Sequence, residues 1–150
     1  MLNQALKKDS PNGRHKTSVM LVDDAPIFMK MAKLWLESYL GDEIDVVDTA
    51  SSGEECLEKA QVLAPEIILM DLHMPGMGGL ATIPLVHILF PETRIIALSF
   101  RDDEQARHLV SAIGGTALVS KVAMKTELAP AILQAIAERN MEYENLPASI

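Results

Sequence analysis

Five short apolar runs alternate with five stretches of helical periodicity, and no other pattern in the chain limits its fold as severely. The runs are SVMLVDD (18–24), IDVVDTA (44–50), EIILMD (66–71), TRIIALS (93–99) and TALVSK (116–121). Between them lie APIFMKMAKLWLESYL, a segment opened by Ser52 and closed before Pro65, a segment from about Leu80 to Leu89, and DDEQARHLVSAI (102–113). KTELAPAILQAIAERN (125–140) follows the last run. Strands this apolar, joined by short connections, need cover on both faces, the condition of a parallel sheet wrapped by helices. The punctuation agrees. Asp24 is placed to cap the first helix, and Pro26 fits its first turn, where a missing N–H costs nothing. Ile27, Met31, Leu34 and Trp35 recur there at helical spacing. Gly41 can end that helix, Ser52 and Glu55 form a capping box for the next, and Gly114 and Gly115 stop the fourth. Pro84 is expected to kink or delay the third helix, and Pro130 to disturb the early turns of the fifth.

The 150 residues suit one domain, and a hydrophobic content of 49% with only 4% aromatics implies an aliphatic core with Met as filler. Charge is unevenly spread. Lys7, Lys8, Arg14 and Lys16 make residues 1–16 basic against Asp9 alone, whereas the remainder carries 20 acidic and 9 basic side chains. A body that acidic is a poor general binder of nucleic acid and is suited to a divalent cation or a basic partner. Cys56 is the single cysteine, so no intrachain disulfide forms, in keeping with a reducing cytosol. No continuously apolar run approaches the length of a membrane span, since the longest stretch without Asp, Glu, Lys or Arg, residues 72–91, is broken by prolines, glycines and histidines. The expected division is a flexible lead-in over 1–16, a domain over 17–141 and a short tail over 142–150, with no room after Asn140 for a DNA-binding domain.

Several runs end on polar side chains. The first gives Asp23 and Asp24, the third Asp71, the fourth Ser99 and the fifth Lys121. Open parallel sheets bind ligands outside the carboxyl ends of their strands. If the strand order is 2-1-3-4-5, the first and third strands are adjacent and three carboxylates crowd together. Each like pair at about 4 Å costs on the order of 1–4 kcal/mol. A hard divalent cation relieves that repulsion, and oxygen donors favour Mg²⁺. Asp71 is then the best-placed nucleophile for forming an aspartyl phosphate, with Lys121 neutralising charge and a hydroxyl donating a hydrogen bond. The loop MPGMGG would fold back so that a backbone carbonyl near His73 meets the metal. Taken singly, these residues have ordinary readings: a helix cap for Asp23 and Asp24, turn chemistry for Asp71, a solvated strand end for Lys121. Their convergence carries the weight. His73, His87 and His108 show no metal-ligand spacing, and Cys56 reads as a small core residue. The methionines read as core filler, apart from Met74 and Met77 in the loop.

Asp23-Asp24, Asp71 with MPGMGGL, Ser99 and Lys121 together resemble the receiver domain of bacterial two-component response regulators, over about residues 18–140. Spacings of 47, 28 and 22 residues from Asp24 through Asp71 and Ser99 to Lys121 agree. GGTALVSK looks most like receivers that precede helix-turn-helix output domains. The resemblance implies a flavodoxin-like (CheY-like), doubly wound five-stranded parallel sheet of order 2-1-3-4-5. It implies phosphoryl transfer to Asp71 from a sensor histidine kinase or a phosphotransfer protein, in the cytoplasm. Mg²⁺ would be held by Asp24, Asp71 and the His73 carbonyl, with Asp23 acting through water, and Ser99 and Lys121 would contact the phosphoryl oxygens. The face of helix four, strand five and helix five would change on phosphorylation and dock a partner or pair two receivers.

Three positions depart from the family pattern. Leu118 stands where a switch aromatic is usual, Val122 where a proline commonly follows the lysine, and Phe100 where a small residue follows the switch hydroxyl. A cis bond at Val122 would cost about 2.5–4 kcal/mol, so a trans bond and a relocated loop are expected. Phe100 is expected to shield the site or to replace the missing switch aromatic. Three function classes follow: a phosphoaccepting switch, an interaction module with the same fold that no longer switches, and an aspartyl-phosphate phosphatase. The third lacks its usual second acid, since His73 stands two residues after Asp71.

Overall fold

The computed structural model describes residues 13, 15–101 and 103–145. Most of the basic lead-in, Asp102 at the expected start of the fourth helix, and the last five residues of the expected tail lie outside the described residues. The elements are β1 (Thr17–Val22), α1 (Pro26–Leu40), β2 (Ile44–Ala50), α2 (Gly53–Leu63) and β3 (Ile67–Asp71). They continue with α3 (Gly79–Leu89), β4 (Arg94–Ser99), α4 (Glu104–Ala112), β5 (Ala117–Ser120) and α5 (Met124–Glu144). The five strands form one parallel sheet of order β2-β1-β3-β4-β5.

Successive side chains of a strand point to opposite faces, and the core divides accordingly. Val19, Leu21, Ile67, Leu69, Ile96, Leu98 and Val119 pack on one face with Leu36 of α1 and Leu128 and Ile132 of α5. Met20, Val22, Ile68, Met70, Ile95 and Ala97 pack on the other with Cys56 of α2, Ile83 and Val86 of α3 and Val110 of α4. Covered from both sides, the central strands have no use for polar side chains until they reach the rim.

Local chemistry sets several boundaries. The Ser52 hydroxyl accepts the Glu55 N–H at 3.1 Å and starts α2. The other half of the capping box is replaced, because the Glu55 carboxylate takes the Lys59 ammonium at 3.0 Å and the Ser51 hydroxyl at 3.1 Å. Asp103 caps α4 through the Ala106 N–H. Pro84 does not delay α3, which runs from Gly79 with the proline inside it, and Pro130 likewise lies within α5. The fifth helix continues to Glu144, four residues beyond the spacing-based end, and Arg94 of β4 pairs with Glu142 there.

Two expectations for α1 are corrected. Asp24 is not its cap: Ala25 occupies that position without a side-chain bond, and Asp23 accepts the Ala25 N–H at 2.9 Å. The apolar stripe read from spacing is not the buried one. Ile27, Met31 and Leu34 are exposed, whereas Ala32, Leu36 and Leu40 face the sheet. α1 is apolar almost all round, so periodicity alone offers two faces and the sheet selects the one with small and leucine side chains. Met31 and Met141 are exposed rather than core filler, and Met74, read as a loop residue, is buried.

Candidate functional site

The carboxyl ends of β1, β3, β4 and β5 deliver the polar residues to one rim. β3 lies between β1 and β4, and its last residue, Asp71, pairs with Leu98, one position before Ser99. Asp23 and Asp24 follow β1 directly, and Lys121 follows β5. Its backbone N–H donates to the Ser99 carbonyl at 2.8 Å, so a main-chain bond joins those two rim residues.

Asp23, Asp24 and Asp71 each offer a carboxylate oxygen, and these atoms lie within 4.8 Å of one another. Asp23 and Asp71 are buried, while Asp24 faces solvent. Lys121 Nζ sits 2.7 Å from Asp23 Oδ2 and 3.4 Å from Asp71 Oδ1. Its side chain is only 6% exposed. The ammonium therefore meets two carboxylates, Asp23 and Asp71, with the third, Asp24, beside them, and the local charge is negative. The donor set is all oxygen, which fits a hard divalent cation better than a soft one. Burial holds the Asp71 carboxyl above the ordinary carboxylate range; the His73 N–H pulls the other way, the Asp23 charge adds to the rise, and Lys121 opposes it.

The loop after β3 is shaped by glycine where the backbone demands it. Gly76 has φ +71°, and a side chain at Gly79 would meet the Asp71 carbonyl oxygen at 2.2 Å. The loop therefore passes directly over the end of β3, which is why the apolar strand is followed by so sharp a turn. The backbone contact it returns to Asp71 is an N–H: His73 donates to Asp71 Oδ1 at 3.2 Å. The His73 side chain is exposed, as is that of His87.

Ser99 is fully buried, and its hydroxyl accepts the Arg101 N–H at 2.9 Å. Leu118 is buried, Phe100 is 72% exposed and Val122 is 81% exposed. No cis peptide bond occurs among the described residues. Cys56 is buried in the core, which pushes its thiol up to about 12 and leaves it inert at neutral pH.

Sequence reasoning missed Phe28. Its ring centroid lies 4.4 Å from Lys121 Nζ, with Phe100 at 5.3 Å on the same ammonium. Phe28 is 93 residues from Lys121 in the chain, and a lone phenylalanine in a helix gives no sign of such a contact. The chain's low aromatic content was the available clue, since each ring must be accounted for separately.

Comparison with known proteins gives a consistent result. A family profile described as the response regulator receiver domain matches residues 19–133. The nitrate/nitrite response regulator protein NarL of Escherichia coli is 33% identical over 94 residues, covering 63% of this chain and 43% of that protein. A protein-glutamate methylesterase/protein-glutamine glutaminase of Archaeoglobus fulgidus is 38% identical over 105 residues, covering 69% of this chain and 29% of that protein. Among solved structures, a LuxR-family two-component response regulator from an Aurantimonas species superimposes with TM-score 0.77 at 26% identity, covering 83% of this chain and 87% of that one. The chain spans less than half the length of the curated relatives NarL and the methylesterase.

Proposed function

The chain belongs to the response regulator receiver domain family, and from that premise we propose that it accepts a phosphoryl group on Asp71 from the phosphohistidine of a sensor histidine kinase or a phosphotransfer protein. The observation that carries this reading is the convergence of three carboxylates on one point with Lys121 Nζ 3.4 Å from Asp71 Oδ1. Asp24, Asp71 and the His73 carbonyl would hold Mg²⁺, with Asp23 acting through water. The ion would supply charge neutralisation at the phosphoryl oxygens.

The chain's own residues do the rest. Asp71 attacks as an anion, so no base is needed. Lys121, whose Nζ lies 3.4 Å from Asp71 Oδ1, presents its charge to the incoming group, and the Ser99 hydroxyl turns from its Arg101 contact to donate to a phosphoryl oxygen. That turn is the trigger for the face of α4, β5 and α5, which docks a partner or pairs two receivers. The domain over 17–141 turns over no substrate beyond its own phosphorylation and dephosphorylation, works in the cytoplasm and does not itself bind nucleic acid. Incubation with Mg²⁺ and acetyl phosphate, followed by intact-mass measurement, is expected to add one phosphoryl mass to wild type and none to Asp71→Asn. An unmodified wild type would sink the proposal.

Leu118 favours a second reading. It is buried and carries no hydroxyl, so it cannot make the hydrogen-bonded swing of an aromatic such as tyrosine. A non-switching interaction module would bind its partner equally with and without beryllofluoride, whereas the switch predicts at least a fivefold difference, equivalent to a coupling of about 1 kcal/mol.

A further inference from the structure

We propose that Phe28 and Phe100 are positioning residues for Lys121, their ring faces fixing the ammonium between Asp23 and Asp71. The role deepens the phosphoacceptor reading above and rests on it for its purpose, though not for its geometry. Both ring centroids, at 4.4 and 5.3 Å, fall within the roughly 6 Å over which an aromatic face attracts a cation. Asp23 at 2.7 Å and Asp71 at 3.4 Å meet the same nitrogen. Four groups from four separate segments therefore surround one Nζ: the ends of β1 and β3, the first turn of α1, and the loop after β4.

A lysine stem is long and flexible, and its charge stays in place only where contacts hold it. The ammonium is hydrogen-bonded to Asp23 at 2.7 Å with Asp71 at 3.4 Å, and the two rings close over its remaining sides. Phe100 is largely exposed, so core packing does not explain its presence at the rim. Its ring meets Lys121 instead. Phe28 is half-buried under the same nitrogen.

The consequence is for transfer. An Asp71 oxygen bonds to phosphorus as the P–N bond of a phosphohistidine, or the P–O bond of acetyl phosphate, breaks. The electron pair leaves with imidazole or acetate, and Asp71 loses no proton. Charge on the outer phosphoryl oxygens must then meet a cation already in place. The rings touch no reacting atom and move no proton; they determine where that cation is.

The test uses the whole chain and two readouts. In metal-free protein, the Lys121 ε-methylene protons are expected upfield of free lysine, shifted by the ring faces. Phe28→Leu with Phe100→Leu, which keeps apolar bulk, should abolish the shift, and Phe28→Tyr should retain it. With Mg²⁺ and acetyl phosphate, the doubly substituted protein should lose about tenfold in the maximal rate of phosphoryl uptake with donor half-saturation unchanged, and Phe28→Tyr should stay within about twofold of wild type. Lys121 resonances at the free-lysine position, or a leucine variant as fast as wild type, would overturn the proposal. Ring-shifted resonances in a wild type that takes up no phosphoryl group would uphold the clamp and remove the phosphoacceptor reading instead.

Discussion

The two rims of the sheet bury charge in opposite ways. At the amino ends, the buried Glu66 accepts a hydrogen bond from His15 at 2.8 Å and has the Arg139 guanidinium 3.6 Å away. Arg139 in turn donates to the Glu92 carbonyl. There a single carboxylate is served by more than one donor. At the carboxyl ends, three carboxylates crowd together and one ammonium meets two of them. A fold tolerates such an excess only at a cost, and the difference between the rims separates a charge cluster that ties segments together from one poised to take up a ligand.

The largest break in that comparison is expected from Lys121→Met. It strands Asp23, which is fully buried, beside Asp71, and should destabilise the metal-free protein by about 3–5 kcal/mol in urea unfolding. Next is the ion itself. Mg²⁺ at a hundred times its dissociation constant should stabilise wild type by about 2.7 kcal/mol, and Asp24→Ala should remove much of that gain while leaving the amino-end rim untouched.

Asp71→Asn should act in the opposite direction to most substitutions. The Asp71 carboxyl is held above its ordinary range, so the folded chain keeps the proton longer than the unfolded chain as pH rises. Its contribution to stability therefore declines from the ordinary carboxylate value up to the raised one and is flat beyond. In EDTA at neutral pH the Asn variant should be more stable than wild type by on the order of 1 kcal/mol, and the two should converge in acid. A variant less stable than wild type at neutral pH would show that the Lys121 attraction outweighs burial and repulsion. The smallest effect belongs to the other rim: His15→Ala removes a half-exposed partner of Glu66 and should cost about 0.2–1 kcal/mol.

The alternation of runs makes the sheet legible in the sequence, because strands apolar on both faces admit few architectures. The carboxylates at the strand ends made most of the site legible for the same reason: a charge at the end of a buried run needs an explanation. The buried face of α1 was not legible, since Ile27, Met31 and Leu34 match helical spacing as well as Ala32, Leu36 and Leu40 do. Nor was the choice of Asp23 over Asp24 as acceptor for the Ala25 N–H, which depends on how β1 releases the chain into α1. Phe28 lay beyond reach because its significance exists only once β5 brings Lys121 to it.

The burial of Cys56 has a practical consequence. It is the chain's sole thiol, sealed inside the core and held protonated. A cysteine introduced at an outward-facing position of α4 would thus be the one group to take a maleimide dye, and movement of that helix could be followed by fluorescence in otherwise wild-type protein.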